Sequence, residues 1–227
     1  MSETGRLTLV TTPIGNLADL SPRAADALGA ADFWIVEDTR VSGRLAIHLG
    51  VKKPMRVLNE HTSPKQVEAL LGELESGKHA ALLTDGGAPS VSDPGASLTD
   101  LCHDAGVLVE GIPGPSAPIT ALMLSGFFGQ RFSFLGFLGR KAGDIRKELA
   151  PFAESTSTII LFESQFRFLA TLKVAHEALG ERRYAICREL TKMHEQVYRE
   201  RLPNLPTEAE VPHKGEFTLV IEGKRRT

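Results

Sequence analysis

The segment HAALLTDGGAPSVSDPG, residues 79–95, joins a short apolar run to a loop rich in glycine, proline, serine and aspartate. A strand that stops at glycines lets another molecule approach bare backbone, so we expect this loop to bind a ligand. The same residue types also form ordinary turns, and the segment alone leaves a plain surface turn open. Two further loops of this kind, residues 12–16 and 113–116, favour the ligand site.

Strands and helices alternate through the first half of the chain. The β-rich runs that we predict as strands are residues 7–12, 33–36, 80–84 and 107–110. The predicted helices are residues 23–28, stopped by Gly29, and residues 44–49, 64–76 and 96–105. This alternation is typical of a mostly parallel sheet with helices on its faces. Because ligands bind at the carboxyl ends of such strands, we expect the three loops to meet at one edge of the sheet.

The pattern changes near residues 127–131. The strands predicted beyond this point are residues 132–138, 158–162, 184–188, 195–199 and 217–221, with helices at 145–152 and 167–179. Several of these strands follow one another directly, which indicates a mixed, partly antiparallel sheet. We therefore predict an α/β protein of two domains, residues 1–126 with a mostly parallel sheet and residues 127–227 with a mixed sheet.

The composition excludes several classes of protein. The hydrophobic fraction of 42% and the charged fraction of 24% are typical of a soluble globular protein. No apolar run approaches the roughly 20 residues that cross a bilayer, and Met1 to Arg6 lacks the pattern of a signal peptide. Cys102 and Cys187 have no zinc-site spacing. We expect a cytoplasmic protein without a metal site or a membrane partner.

The balance of charge gives no general signature of a nucleic-acid-binding protein. The formal net charge is −2, so any contact with RNA must be local. Basic residues gather in residues 131–147 and in the tail Lys224-Arg225-Arg226. Each patch leaves open an ordinary solvated face.

The common nucleotide-binding and hydrolase motifs are missing. The sequence holds no phosphate-binding P-loop and no G-x-G-x-x-G after a strand. Gly114-Pro115-Ser116-Ala117-Pro118 departs from the G-x-S-x-G of serine hydrolases at its last position. With these motifs missing, the three loops favour an uncharged or zwitterionic adenosine-like ligand, which backbone N–H and C=O groups would hold.

A series of short motifs then makes a resemblance specific. In chain order they are residues 12–17 (TPIGNL), 37–40 (EDTR), 60–61 (EH), 85–95, 113–117 (PGPSA), 136–138 (GFL), 162–164 (FES), 188–192 (RELTK) and 215–217 (GEF). In this order they resemble the ribosomal RNA methyltransferases of the tetrapyrrole methylase superfamily. The resemblance runs from about Leu7 to Gly223, nearly the whole chain.

The resemblance implies a homodimer of two α/β domains that binds S-adenosylmethionine in the cleft between them. It implies methylation of the ribose 2′-oxygen of a cytidine in 16S rRNA of the small ribosomal subunit. It assigns seven residues of the first domain to the cofactor: Pro13, Asp85, Gly86, Gly87, Ser90, Ser116 and Ala117. From the second domain it assigns Phe162 or Glu163, together with Leu190.

The sequence departs from these relatives at several positions. Ala88 replaces a threonine, Val41 replaces a histidine, and Gln165-Phe166 replaces a Pro-His pair. Relatives often continue beyond the position of Gly223 into a further small domain. If that domain helps to hold RNA, we expect this protein to hold its substrate with the core, the dimer partner or the short basic tail.

Methylation of a ribose hydroxyl requires alignment and removal of a proton. The oxygen, methyl carbon and sulfur must align at roughly 3 Å, because the hydroxyl is a poor nucleophile at neutral pH. The candidate bases are Asp38, Glu60 and His61, and Arg40 and Lys192 are candidate phosphate clamps. We expect Asp38, Arg40, Glu60 and His61 to face the substrate. An internal Asp38–Arg40 salt bridge, and a capping or packing role for His61, stay open.

Rival functions also stay open. Within the superfamily they are C-methylation of a tetrapyrrole and methylation of a modified histidine precursor. The TPIGNL and RELTK motifs favour the RNA branch. Outside it, the chain could be a noncatalytic RNA-binding module of ribosome assembly, although the net charge of −2 and the aromatic fraction of 6% argue against that.

Overall fold

The chain forms two compact units in a computed structural model that describes residues 5–225. Met1 to Thr4, part of the segment considered for a signal peptide, and Arg226 of the basic tail lie outside this range. The first unit ends at Ser116 and the second begins at Ala117. The division therefore falls before the helix Ala117–Ser125, whereas the sequence places the boundary after it. The reason is that this helix packs on the strands of the second sheet.

The first unit is built on a parallel sheet of five strands. They are β1 (Arg6–Val10), β2 (Phe33–Val36), β3 (Met55–Val57), β4 (His79–Leu83) and β5 (Leu108–Ile112). Their spatial order is β3-β2-β4-β1-β5, and every neighbouring pair is parallel. The expected parallel sheet is confirmed, and β4 lies at its centre. Strand β3 is not among the predicted strands, because three residues are too few to show a strand period.

Four helices connect these strands. They are α1 (Pro22–Ala30), α2 (Thr39–Leu49), α3 (Pro64–Glu75) and α4 (Ala96–Asp104). Ser21 caps α1 by accepting a hydrogen bond from the Ala24 N–H at 3.1 Å. The helix continues past Gly29, contrary to expectation, whereas Gly50 ends α2 in the left-handed conformation at φ 65°.

Both faces of the first sheet are buried at its central strands, β2 and β4. Successive side chains of β2 alternate between the two sides, with Phe33 and Ile35 in one cluster and Trp34 and Val36 in the other. Trp34 is fully buried, and its Nε1 donates to the Leu28 carbonyl of α1 at 2.9 Å. Helices therefore cover the sheet on both sides, which leaves its edges and strand ends for ligands.

The second unit contains a mixed sheet. Its elements are α5 (Ala117–Ser125), β6 (Phe132–Phe137), α6 (Ala142–Leu149), β7 (Thr158–Glu163), α7 (Phe168–Leu179), β8 (Arg183–Arg188), β9 (Gln196–Arg201) and β10 (Phe217–Ile221). The order is β6-β7-β10-β8-β9, with β6 and β7 parallel and the other neighbours antiparallel. The predicted mixed sheet is confirmed.

Apolar side chains cover this sheet on both sides. Phe168 of α7 stacks on Phe217 of β10 with ring centroids 4.5 Å apart. On the opposite side, the Sγ of Cys187 lies 3.8 Å from the Ala121 carbonyl oxygen of α5. Among residues 5–225, no helix is both long and apolar enough to span a membrane.

Candidate functional site

The three loops of small residues lie side by side at one edge of the first sheet. Strand β1 is hydrogen-bonded to both β4 and β5, and all three run in the same direction. The residues after them are Pro13 in the first loop, Asp85 to Gly87 in the second and Ser116 in the third. The expectation that these loops share one edge is confirmed.

The loops also touch directly through their glycines. Thr12 and Gly87 exchange two backbone hydrogen bonds, each 3.0 Å long. A Cβ added at Gly86 would lie 3.3 Å from the carbonyl oxygen of Pro13, and one at Gly114 would lie 3.1 Å from the Cβ of Thr11. The absence of side chains at these glycines therefore lets the three loops close on one another.

Ser90 carries an unsatisfied polar group in the second loop. Its backbone is left-handed, at φ 68°, and its buried Oγ has no hydrogen-bond partner among the described residues. Gly95 passes so close that an added Cβ would lie 2.8 Å from this Oγ. A buried hydroxyl without a partner costs about 1–3 kcal/mol, so a bound ligand that pairs with it recovers this energy. The glycines and this hydroxyl fit an adenosine-like cofactor.

An acidic cleft lies on the other side of β4. Its volume is about 790 Å³, and the loops after β2, β3 and β4 form it. Five carboxylates line it: Glu37, Asp38, Glu60, Asp85 and Asp93. We call these five residues the acidic cleft. The hydroxyl-bearing Ser90 also lines it, so the loop after β4 reaches both the glycine contacts and the carboxylates.

Asp38 and Arg40 form the internal salt bridge that the sequence left open. Asp38 caps α2 by accepting the Arg40 backbone N–H at 2.8 Å. The Arg40 Nε lies 3.0 Å from each carboxylate oxygen, and an Nη2 lies 2.5 Å from Oδ2. These bonds lower the pKa of Asp38 to about 2. Asp38 is therefore held ionised and is a weak base, while its partner presents a positive charge to solvent.

Glu60 and His61 lie on the cleft wall and are open to solvent. Their side chains are 85% and 84% exposed, and the His61 Nε2 lies 3.5 Å from a Glu60 oxygen. Helix α3 is capped by Ser63 and Gln66. His61 therefore neither packs nor caps this helix, and its ring is accessible to a substrate.

Glu37 and Asp93 are cleft carboxylates that were not among the predicted catalytic residues. Burial, followed by the charge of Glu37, raises the pKa of Asp93 to about 6. Burial and then Asp85 raise the pKa of Glu37, and burial and then Asp38 raise that of Asp85. The sequence position of Glu37 could have identified it as a site residue, since it is the first residue after a fully buried strand. Its polar side chain at a strand end marks the ligand edge.

The second unit places its predicted cofactor residues near strand ends. Phe162 packs on Phe137 with ring centroids 5.5 Å apart. Glu163 is buried, and its carboxylate accepts hydrogen bonds from the Thr171 hydroxyl at 2.6 Å and the Ser164 N–H at 2.7 Å. The polar capacity of Glu163 is therefore largely used within its own unit. Its cofactor role stays a prediction, as does that of Phe162.

The loop after β8 holds the remaining second-domain candidates. Leu190 is buried between Glu189 and Thr191, which both have left-handed backbones, at φ 51° and 65°. Lys192 is drawn into ion pairs, with its Nζ 3.2 Å from Glu189 and 2.8 Å from Glu216. Lys192 is thus less available as a phosphate clamp than the sequence suggests. The cofactor role of Leu190 stays a prediction.

Comparison with known proteins gives a consistent result. A family model described as tetrapyrrole (corrin/porphyrin) methylases matches residues 6–206. The ribosomal RNA small subunit methyltransferase I of Haemophilus influenzae is 41% identical over 99% of this chain and 81% of its own length. The protein of that name from Thermotoga maritima is 38% identical over 97% of this chain and 99% of its own.

A solved structure agrees on the fold. The uroporphyrin-III C-methyltransferase of Thermus thermophilus, complexed with S-adenyl homocysteine, has a TM-score of 0.66 and 20% identity. The alignment covers 96% of this chain and 97% of that one. With a family model matching most of its length and relatives near 40% identity, this chain belongs to the tetrapyrrole methylase family and is a methyltransferase.

Proposed function

We propose that this chain transfers a methyl group from S-adenosylmethionine to the ribose 2′-oxygen of a cytidine in 16S rRNA. The observation that carries the proposal is the loop of residues 85–95, which contacts the Pro13 loop through its glycines and lines the acidic cleft through its carboxylates. One loop thus adjoins a site for the donor and a site for the acceptor. The names of the relatives near 40% identity support RNA as that acceptor.

The first unit holds the donor by backbone groups and one hydroxyl. S-adenosylmethionine, when bound, supplies a methyl group activated by a positively charged sulfur. Pro13 and Gly86 present backbone groups at close-packed loops, and Ser90 offers a hydroxyl that has no partner among residues 5–225. Gly87 bonds Thr12 with its own N–H and C=O, and its missing side chain lets a ligand come close. Ser116 and Ala117 extend the site from the third loop. The negative charge of the neighbouring carboxylates favours a cationic ligand.

The acidic cleft removes the proton from the ribose hydroxyl. A general base works best when its pKa lies near the working pH. Asp93, whose pKa is about 6, meets this condition better than Asp38, whose pKa is about 2. Glu60 and His61 line the same cleft and orient the nucleotide, while Arg40, held by Asp38, contacts a phosphate.

The substrate is the small ribosomal subunit or its RNA, and the protein acts in the cytoplasm as a homodimer. Relatives with the same name support the substrate. The soluble composition supports the compartment, and the exposed apolar side chains of α5, such as Met123, support a second copy as partner.

The test is transfer of labelled methyl groups from S-adenosylmethionine to purified small subunits, followed by nuclease mapping. The expected product carries label on one cytidine ribose, with no transfer to a tetrapyrrole acceptor supplied in parallel. Label on a base, or transfer to the tetrapyrrole, would refute the proposal. If calorimetry detected no binding of S-adenosylmethionine, that result would instead favour a noncatalytic RNA-binding module.

A further inference from the structure

Two loops of the second unit lie side by side at one end of its sheet. Strand β6 is parallel to β7, and both β7 and β8 are antiparallel to β10. Strands β6, β7 and β8 therefore run in the same direction. The residues that follow β6 and β7, the two neighbours at this end of the sheet, are 138–141 and 164–167.

Two aromatic rings are exposed at this edge. Phe137, the last residue of β6, is 63% exposed, and Phe166, in the loop after β7, is 86% exposed. Phe137 and Phe162 are register partners of these strands. Burying a phenylalanine is worth about 1.5–3 kcal/mol, so exposed rings at one edge indicate a binding surface rather than a packing requirement.

Two positive charges stand in the same loop. Arg140 and Lys141 are exposed, and neither makes an ion pair with any residue between 5 and 225. Nearby cations are neutralised, since Arg146 pairs with Glu177 and Arg167 pairs with Glu163. Asp144 and Glu148 lie beside Gly139 of the same loop, but neither forms an ion pair with Arg140 or Lys141, so both cations are available to a partner.

Hydrogen bonds fix both loops in place. The Arg167 Nη2 donates to the Gly139 carbonyl at 2.7 Å, and the Gly139 N–H donates to Glu148 at 2.9 Å. In the other loop, Gln165 accepts the Gly215 N–H at 3.2 Å. The backbone that carries the rings and charges is therefore ordered before a partner binds, which lowers the entropic cost of binding.

The acidic cleft favours a separate surface for holding the RNA strand. Phosphates dominate the affinity of nucleic-acid binding, and the five carboxylates of the cleft repel them. Stacking of bases on aromatic rings, combined with basic side chains for phosphates, is how proteins hold single strands.

We propose that Phe137, Arg140, Lys141 and Phe166, the aromatic-basic surface, bind a single-stranded segment of the substrate RNA. The bases stack on the two rings, and the phosphates pair with the two cations. This inference rests on the proposed function, because it takes RNA as the acceptor.

The test uses two variants of the full chain, F137A/F166A and R140A/K141A. The matched controls are Ile47→Ala, which removes an apolar side chain that is 82% exposed, and R23A/K52A, which removes two exposed cations of the first unit.

Each test variant should raise the KM for small subunits about tenfold, with kcat changed less than about twofold. In titrations of a single-stranded RNA, the salt slope of R140A/K141A should fall by about 1.4, at about 0.7 per phosphate contact. The controls should match the wild type.

Affinity for S-adenosylmethionine and the melting temperature should stay unchanged in R140A/K141A and in Phe166→Ala alone, which separates RNA binding from a structural role. The Phe137 ring packs on Phe162, a predicted cofactor residue, so F137A/F166A is compared by its affinity for RNA. Unchanged KM and RNA affinity in both variants would overturn the inference. Dissociation of a dimer in F137A/F166A would also overturn it, in favour of a second copy of the chain at this surface. Wild-type protein that binds S-adenosylmethionine but methylates no RNA would instead refute the proposed function.

Discussion

At the scale of single residues, the site depends on groups whose surroundings do not satisfy them. Ser90 keeps a buried hydroxyl without a partner, and Asp93 keeps a carboxylate beside Glu37 and Asp85. Both arrangements lower stability and are retained where a ligand or a reaction uses them. Neither could be inferred from the sequence, because each depends on which loops the sheet brings together.

Ser90→Ala should weaken S-adenosylmethionine binding about tenfold without lowering stability. The substitution removes a hydroxyl that has no hydrogen-bond partner among residues 5–225, so the free energy of unfolding should stay equal or rise by up to about 1 kcal/mol. The matched control is Ser92→Ala, since Ser92 shares the left-handed backbone at φ 60° but is exposed. Calorimetry and thermal unfolding measure both effects, and equal affinities in the two variants would contradict the role of Ser90.

Asp93→Asn should reduce kcat roughly a hundredfold, since general bases contribute about that much or more. The control is Asp26→Asn, an exposed carboxylate of α1. In the wild type, the single-turnover rate should rise with pH around a midpoint near 6, the pKa of Asp93. A variant with wild-type kcat would show that another group takes the proton.

The same variant should change how stability depends on pH. The folded pKa of Asp93, about 6, lies above its ordinary value of 3.8, so the folded state binds the proton more tightly than the unfolded state. Wild-type stability should therefore fall as pH rises from about 4 to 6. Asp93→Asn removes this loss and should be more stable at pH 7, on the order of 1 kcal/mol after screening, with no difference below about pH 4. Denaturant unfolding at both pH values measures it.

At the scale of elements, the sequence predicts the strands of the sheets better than the ends of the helices. The apolar strands β2 and β10 have the predicted bounds, because both are buried throughout and flanked by polar residues. Helix α2 begins at Thr39 rather than Arg44, since Asp38 doubles as its cap. A motif read as catalytic thus also serves as a local structural signal.

Gly86→Ala should impair the site through the contact between loops. Its new Cβ would lie 3.3 Å from the Pro13 carbonyl oxygen, which forces the two loops apart by a few tenths of an ångström. We expect several-fold weaker binding of S-adenosylmethionine and a loss of about 1 kcal/mol in stability. Gly43→Ala, where a Cβ meets nothing within 4 Å in α2, should leave binding unchanged and stabilise the helix by up to about 1 kcal/mol. Identical behaviour of the two variants would argue against tight loop contact.

At the scale of the whole molecule, the distribution of charge matters more than its sum. The net charge of −2 is the sum of unlike regions, which include an acidic cleft in one unit and the cations Arg140 and Lys141 in the other. The sequence marks both basic patches equally, but the structure distinguishes them by their partners. In the tail, Lys224 pairs with Glu154 at 2.5 Å and Arg225 with Glu222 at 3.0 Å.

Removing the described tail cations should therefore have little effect on RNA. In the variant K224A/R225A, the KM for small subunits should stay within about twofold of the wild type, because both charges are already compensated. Steady-state kinetics compares the KM of this variant with the KM of R140A/K141A. A tail variant with the larger rise in KM would reverse the assignment of the two patches.

The proposed function requires the loop of residues 85–95 to hold the methyl donor while it lines the acidic cleft. A crystal structure of the full chain with S-adenosylhomocysteine tests it most directly. We expect the ligand to contact the backbone of Gly86 and Gly87 and to form a hydrogen bond of about 2.7–3.2 Å with the hydroxyl of Ser90. A ligand bound away from this loop, with the hydroxyl of Ser90 still unpaired, would contradict it.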